Sequence, residues 1–141
     1  MVKKKILVTG GSGFFGYELV KELSKKNKVI VLDNNLRGNF NKFKGLKNIK
    51  TIECDITNQR LVKRLYKVDV VYHLAFINGT ENFYKHPEKV LDVGVKGIIN
   101  IIEFVKSKKI KNFIIFSSSE VYGTPNKVPT NEKEMIKIED I

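Results

Sequence analysis

Thr9-Gly10-Gly11-Ser12-Gly13-Phe14-Phe15-Gly16 follows a short apolar run, Ile6-Leu7-Val8, and precedes an amphipathic one. Its glycines satisfy two spacings at once, Gly-x-x-Gly-x-x-Gly at 10, 13 and 16 and Gly-x-Gly-x-x-Gly at 11, 13 and 16. Between a strand and a helix, such a run meets three demands: a tight turn, close approach of backbone to a pyrophosphate, and close packing of helix on strand. Each requires a residue without a Cβ. The start of the helix then offers free N–H groups and a positive dipole end to an anion. The plainer alternative is that the glycines serve only the turn. Asp33 weighs against it, because it ends a second apolar run 17 residues past Gly16. A carboxylate there can accept from both hydroxyls of a ribose and would repel a 2′-phosphate.

Working outward, strands and helices alternate. Lys5 to Thr9 predicts a buried strand. Phe14 to Ser24 predicts a helix with Phe15, Leu19, Val20 and Leu23 on one face and charges at Glu18, Lys21 and Glu22. Val29 to Leu32, Ile49 to Glu53, Val70 to Leu74 and Phe113 to Phe116 predict four more strands, and Leu61 to Leu65 a short helix. Glu88 to Ser107 is the longest helical candidate. Its apolar residues exceed one stripe, so cover on two sides is expected. Short, β-branched strands alternating with helices specify an α/β fold, a parallel sheet with helices on both faces. Right-handed crossovers make it doubly wound, the Rossmann arrangement. From Thr124 the composition turns to Pro, Asn, Lys and Glu. Residues 1–123 are therefore expected to form one nucleotide-binding domain, truncated after its fifth strand, and 124–141 a loop.

The chain has 141 residues, 42% of them apolar, which is enough for a core and excludes a disordered tail despite a formal charge of +11. Cys54 is the single cysteine, so a disulfide framework is excluded. No His, Cys, Asp and Glu cluster has metal-ligand spacing, and no metal is expected. No apolar stretch approaches the ~18–20 residues of a membrane span. The run after Lys3-Lys4-Lys5 stops at Thr9-Gly10, short of the ~7–15 apolar residues in a signal peptide. A cytoplasmic protein with no membrane partner is expected. Of the 26 cations only Arg37, Arg60 and Arg64 are arginine. Sequence-specific DNA readers use arginine for bidentate base contacts, so no nucleic-acid partner is expected. The charge reads as a solvated face that favours anionic ligands.

The order of the motifs resembles the N-terminal part of the extended short-chain dehydrogenases/reductases, the NAD-dependent nucleotide-sugar epimerase/dehydratase family. The matching residues are Thr9 to Gly16, Asp33-Asn34 through Gly38, Cys54-Asp55-Ile56, His73-Leu74-Ala75 and Ser117-Ser118-Ser119-Glu120-Val121-Tyr122-Gly123. The resemblance implies NAD as cofactor. Gly10, Gly13 and Gly16, with the backbone amides of Phe14 and Phe15, would take the pyrophosphate. Asp33 and Asn34 would hold the adenosine ribose, with Arg37 and Gly38 beside it. Asp55 and Ile56 would meet the adenine edge, while Leu74, Ala75 and Phe76 would pass under the nicotinamide half, near Ser117. For Asp55 a helix N-cap stays open as an alternative, since Ile56-Thr57-Asn58 leads into a helical pattern.

In this alignment Ser118 falls on the family's catalytic Ser/Thr, whose hydroxyl donates to the sugar O4 as hydride moves between C4 and the nicotinamide. Ser119 and Glu120 fall on positions that hold a general acid and a general base in dehydratases. A serine at the acid position is similar to the pattern of the decarboxylases and some epimerases, and Glu120 can also be read as a solvated loop acid. The family's Tyr-x-x-x-Lys pair is not matched. Tyr17 and Lys21 have its spacing but lie on the first helix, and Tyr122 is followed four residues later by Asn126. The pair is expected beyond Ile141, with the substrate-binding segments. Two further departures are Gly94, where the long helix usually carries Asn, and Phe76-Ile77-Asn78-Gly79-Thr80, where small residues and Gln or Lys are usual. His73 reads as a packed strand-end residue and His86 as a solvated one.

The expected function is the NAD-binding part of a nucleotide-sugar epimerase, dehydratase or decarboxylase that works by transient C4 oxidation. By itself the chain is expected to be inactive, and to form a homodimer through the 88–107 helix. The alternative is an NAD-binding sensor or regulatory domain that does no chemistry.

Overall fold

Strand β1 (Lys5–Thr9) lies at the centre of a five-stranded parallel sheet, with β2 (Lys28–Asp33) on one side and β4 (Val70–His73) on the other. The outer strands are β3 (Ile49–Glu53) and β5 (Asn112–Ile115), giving the order β3-β2-β1-β4-β5. This computed structural model describes residues 3–136. Thr9 is in register with both Leu32 and His73, so the three central strands end together. The order reverses between β1 and β4, which makes a crevice at their carboxyl ends, where α/β sheets bind ligands.

The near-continuous apolar strands bury both faces, as alternation of side chains requires. Ile6, Val8, Val29, Val31 and Val70 pack on one face with Phe43 and with Val20 of helix α1 (Phe14–Ser24). Leu7, Leu32 and Val71 pack on the other, with Val62 of α2 (Gln59–Lys63) and with Ile101 and Phe104 of the helix that precedes β5. The expected bounds of β1, α1 and β3 match those observed, and the doubly wound α/β arrangement is the one found. Helix α2 begins two residues earlier than expected, because the Asn58 side chain accepts from the Leu61 N–H and caps it.

Between β4 and β5 the structure departs further. A short helix α3 (Thr80–Lys85) has no buried residue, so no apolar periodicity announces it. The long helix is three pieces: α4 (Pro87–Leu91), a π-turn (Asp92–Gly97) and α5 (Ile98–Ser107). Its inner side buries Val90, Asn100, Ile101 and Phe104. Its outer side, expected to be covered, carries Leu91, Val95, Ile99 and Ile102 at 38–63% exposure among the described residues. Strand β5 is an edge, and Ile114, Ile115 and Phe116 are exposed along it. A single 3-10 turn (Ser119–Tyr122) follows, and residues 124–136 contain no helix or strand. The rest of the expected loop, 137–141, lies outside the described residues.

Candidate cofactor and active site

The glycine turn is folded tightly against the segment after β4. Gly10 has φ of +69°, and a Cβ there would lie 2.7 Å from the Ala75 amide nitrogen. Its N–H donates to the Leu32 carbonyl at 2.8 Å, which pins the turn to β2 as well. A Cβ on Gly16 would run into the Gly10 carbonyl oxygen and the Gly11 backbone. Gly13 differs. Its backbone is extended (φ −71°, ψ −176°), and a Cβ would meet only the Gly10 carbonyl oxygen, at 3.3 Å. Among the described residues, its chain neighbours apart, nothing else comes within 4 Å of that position. The first bond of α1 runs from the Tyr17 N–H to the Gly13 carbonyl, so the amides of Phe14, Phe15 and Gly16 have no carbonyl to bond within the helix. An extended backbone beside open space, at a helix start, fits a pyrophosphate.

Asp33 is tied to the same turn. Its Oδ2 accepts from the Ser12 N–H at 2.9 Å and its Oδ1 from the Asn35 N–H at 2.8 Å, which leaves each oxygen with acceptor capacity. Asn34 donates to Asp55 Oδ2 at 3.2 Å. Asp55 Oδ1 accepts from the Thr57 N–H and hydroxyl at 2.8 and 2.7 Å. Burial works to raise the Asp55 pKa, but the bonds from Thr57 and Asn34 outweigh it and hold the carboxyl below its ordinary value. Asp55 is therefore not the cap of α2. It organises the loop before it. The thiol of buried Cys54 is pushed up by burial and by the Asp55 charge. The 34–38 loop lies over the glycine turn, where a Cβ on Gly38 would strike the Ser12 side chain. Arg37 reaches on across the crevice and donates from Nη1 to the Asn78 carbonyl at 2.7 Å.

On the β4 side, His73 is 6% exposed, and burial pushes its pKa down to about 4. Its Nδ1 is 2.7 Å from Thr9 Oγ1, and that oxygen accepts from the Ala75 N–H at 3.3 Å. Both strand ends are thus fastened to the segment Leu74, Ala75 and Phe76. The Phe116 N–H donates to the His73 carbonyl at 3.0 Å, extending strand pairing to the edge of the serine run. Ser117, Ser118, Ser119 and Glu120 are all exposed there. Ser118 Oγ accepts from the Glu120 N–H at 3.3 Å and caps the 3-10 turn. Tyr17 and Lys21 are spent elsewhere: the Tyr17 ring packs on Phe43, and Lys21 Nζ lies over that ring, 5.9 Å from its centroid. His86 is exposed, 3.9 Å from Glu88.

Parallel strands place all these segments at one edge of the sheet, with the glycine turn, Asp33-Asn34, Asp55-Ile56, Leu74-Ala75-Phe76 and Ser117–Glu120 following β1, β2, β3, β4 and β5 in turn. One contributor escaped sequence reasoning. Asn100 is buried, and its side-chain amide donates to the carbonyls of Ile56 and Thr57 at 2.8 and 3.0 Å, anchoring the Asp55 loop to α5. Its signal was a lone amide within Ile98-Ile99-Asn100-Ile101-Ile102.

Fold and site together define a dinucleotide-binding α/β domain with a serine-bearing loop at the mouth of its crevice. The sequence pattern of the NAD-dependent epimerase/dehydratase family matches residues 6–139, and the chain belongs to that family. UDP-glucose 4-epimerase of Neisseria meningitidis serogroup B is 33% identical over 138 residues, 92% of this chain and 41% of that protein. UDP-glucuronic acid decarboxylase 6 of Arabidopsis thaliana is 38% identical over 134 residues, 91% of this chain and 37% of that protein. Among solved structures, an epimerase of Methanothermobacter thermautotrophicus superposes with a TM-score of 0.89 at 33% identity, covering 97% of this chain and 42% of that one. The chain thus spans about two fifths of the length of the curated relatives it matches. Among the described residues no group of three or more His, Cys, Asp and Glu is placed to hold a metal, and no helix is long and apolar enough to cross a membrane.

Proposed function

We propose that this chain supplies the NAD-binding half and the active-site serine loop of a cytoplasmic nucleotide-sugar epimerase, decarboxylase or dehydratase that passes through a transient C4 ketone. The observation that carries this is Gly13: a glycine in an extended conformation that the chain does not itself require, beside a turn to which the Asp33 carboxylate is fixed. Gly10, Gly13 and Gly16 shape the cradle, and the Phe14 and Phe15 amides bind the pyrophosphate. Asp33 and Asn34 hold the adenosine ribose, flanked by Arg37 and Gly38. Asp55 and Ile56 bound the adenine, and Leu74, Ala75, Phe76 and Ser117 line the opposite end. Held there, NAD would supply the hydride acceptor and donor for the sugar C4.

Ser118 donates a hydrogen bond to the sugar O4 and helps to handle its proton, with Ser119 and Glu120 at the adjoining positions. Removal of that proton needs a base of suitable pKa. Tyr17 and Lys21 do not reach the crevice, so the acid–base pair comes from residues other than these. The 141 residues alone should turn over no nucleotide-sugar. The exposed stripe of Leu91, Val95, Ile99 and Ile102 supports pairing of two copies through the 88–107 helix, because a contiguous apolar stripe of this kind is costly on a monomer. A monomer by light scattering at high concentration would overturn the pairing, and Ile99→Glu should dissociate a dimer.

Calorimetric titration with NAD+ tests the core of the reading, and absence of binding overturns it. A longer natural chain carrying these residues should convert a nucleotide-sugar and show transient NADH absorbance. Binding without any reduction would favour the sensor reading instead.

A further inference from the structure

Phe76 rests against the bare backbone of Gly94, where a Cβ would lie 2.8 Å from the ring Cε2 and 3.7 Å from Cδ2 and Cζ. Gly94 lies within the π-turn, and such turns collect at functional sites. Its φ is not in the left-handed region, so the backbone alone does not demand glycine, and glycine weakens a helix interior. The space is what demands it. Phe76 directly follows Ala75, the residue packed under Gly10, so the ring stands on the β4 side of the crevice while Asp33 stands on the β2 side. It keeps 52% of its surface exposed, so burial in the core does not explain it.

We propose that Gly94 exists to seat Phe76, and that the Phe76 ring is a positioning wall at the end of the crevice opposite Asp33. There it packs against the second nucleoside of the dinucleotide and sets how that ring is presented to substrate. This rests on the NAD reading above. The ring at 76 and the bare backbone at 94 are on this account one paired feature.

The test compares affinities for NAD+ and for ADP, which spans only the Asp33 end, in Phe76→Ala, Gly94→Ala and the double variant. Phe76→Ala should weaken NAD+ about five- to tenfold and leave ADP within about twofold. Gly94→Ala should do the same by unseating the ring, with no fall in unfolding midpoint, since Ala is the better helix former. The double variant should lose no more than either single one, because both act through the same ring. Unchanged NAD+ affinity, equal losses for NAD+ and ADP, or additive losses would each overturn the inference while leaving the cofactor reading in place. If the unsubstituted chain binds neither nucleotide, both fall together.

Discussion

Arg37 Nη1 donates to the Asn78 carbonyl at 2.7 Å, and this bond joins the loop after β2 to the loop after β4 across the mouth of the crevice. The same carbonyl accepts from the Asn82 amide at 3.1 Å. Arg37, four residues past Asp33, thus spends a guanidinium N–H on the far loop and is held there. NAD+ should be preferred to NADP+, and Arg37→Ala should leave that preference standing. Asp33→Asn should weaken NAD+ by roughly 10–100-fold, as expected for lost hydrogen bonds to a charged group, and narrow the preference. Titration of each variant with both dinucleotides checks this. Equal affinity of the unsubstituted chain for the two would refute it.

Gly13 and Gly16 should separate binding from folding. A Cβ at 13 meets a single oxygen at 3.3 Å, whereas one at 16 meets the Gly10 and Gly11 backbone. Gly13→Ala should keep the unfolding midpoint within a few degrees yet reduce NAD+ affinity at least about tenfold, by filling the cradle. Gly16→Ala should destabilise the chain by about 1–3 kcal/mol through overpacking. Thermal unfolding and calorimetric titration of both variants give the comparison, and the reverse pattern would dissociate Gly13 from the ligand.

His73 makes stability pH-dependent. Burial holds the ring neutral in the folded chain down to about pH 4, while the unfolded chain takes up the proton near 6.5. Between those values the unfolded state binds more protons, so stability falls as pH falls through this window and levels off below it. The loss amounts to about 3 kcal/mol across the window. Urea unfolding at a series of pH values should show this slope, and His73→Asn should flatten it. An unchanged slope would assign the acid sensitivity to other groups.

What was legible in the sequence was local chemistry. The glycine run lies within eight consecutive residues, and Asp33 ends an apolar strand, so turn, strand and carboxylate could be read from spacing alone. The bonds that lock the crevice join residues far apart in the chain: Thr9 with His73, Arg37 with Asn78, Asn100 with Ile56. No periodicity signals such partners. Helix α3 stayed hidden because it buries nothing, and the π-turn because it interrupts a run whose apolar spacing reads as one continuous helix. Asp55 illustrates the same point. Its position before a helix suggested a cap, but Asn58, three residues nearer, accepts the helix amide, and Asp55 is left to bond Thr57 and Asn34.

Ser118 tests the catalytic half of the proposal. It is exposed, and its oxygen accepts one long bond, 3.3 Å from the Glu120 amide, so little of the fold depends on it. Ser118→Ala should change stability by no more than about 0.5 kcal/mol, the usual range for surface substitutions. NAD+ affinity should hold within about twofold, because the proposed role of the hydroxyl is toward the sugar and not the adenosine half. In a natural chain that carries the whole active site, kcat at saturating cofactor should fall roughly 10²–10⁴-fold as proton handling at O4 is lost. Gly13→Val should invert this pattern, abolishing dinucleotide binding. If Ser118→Ala destroys NAD+ binding while turnover per bound cofactor is unchanged, the serine only shapes the loop after β5. The cofactor assignment would survive that result, and the catalytic one would not.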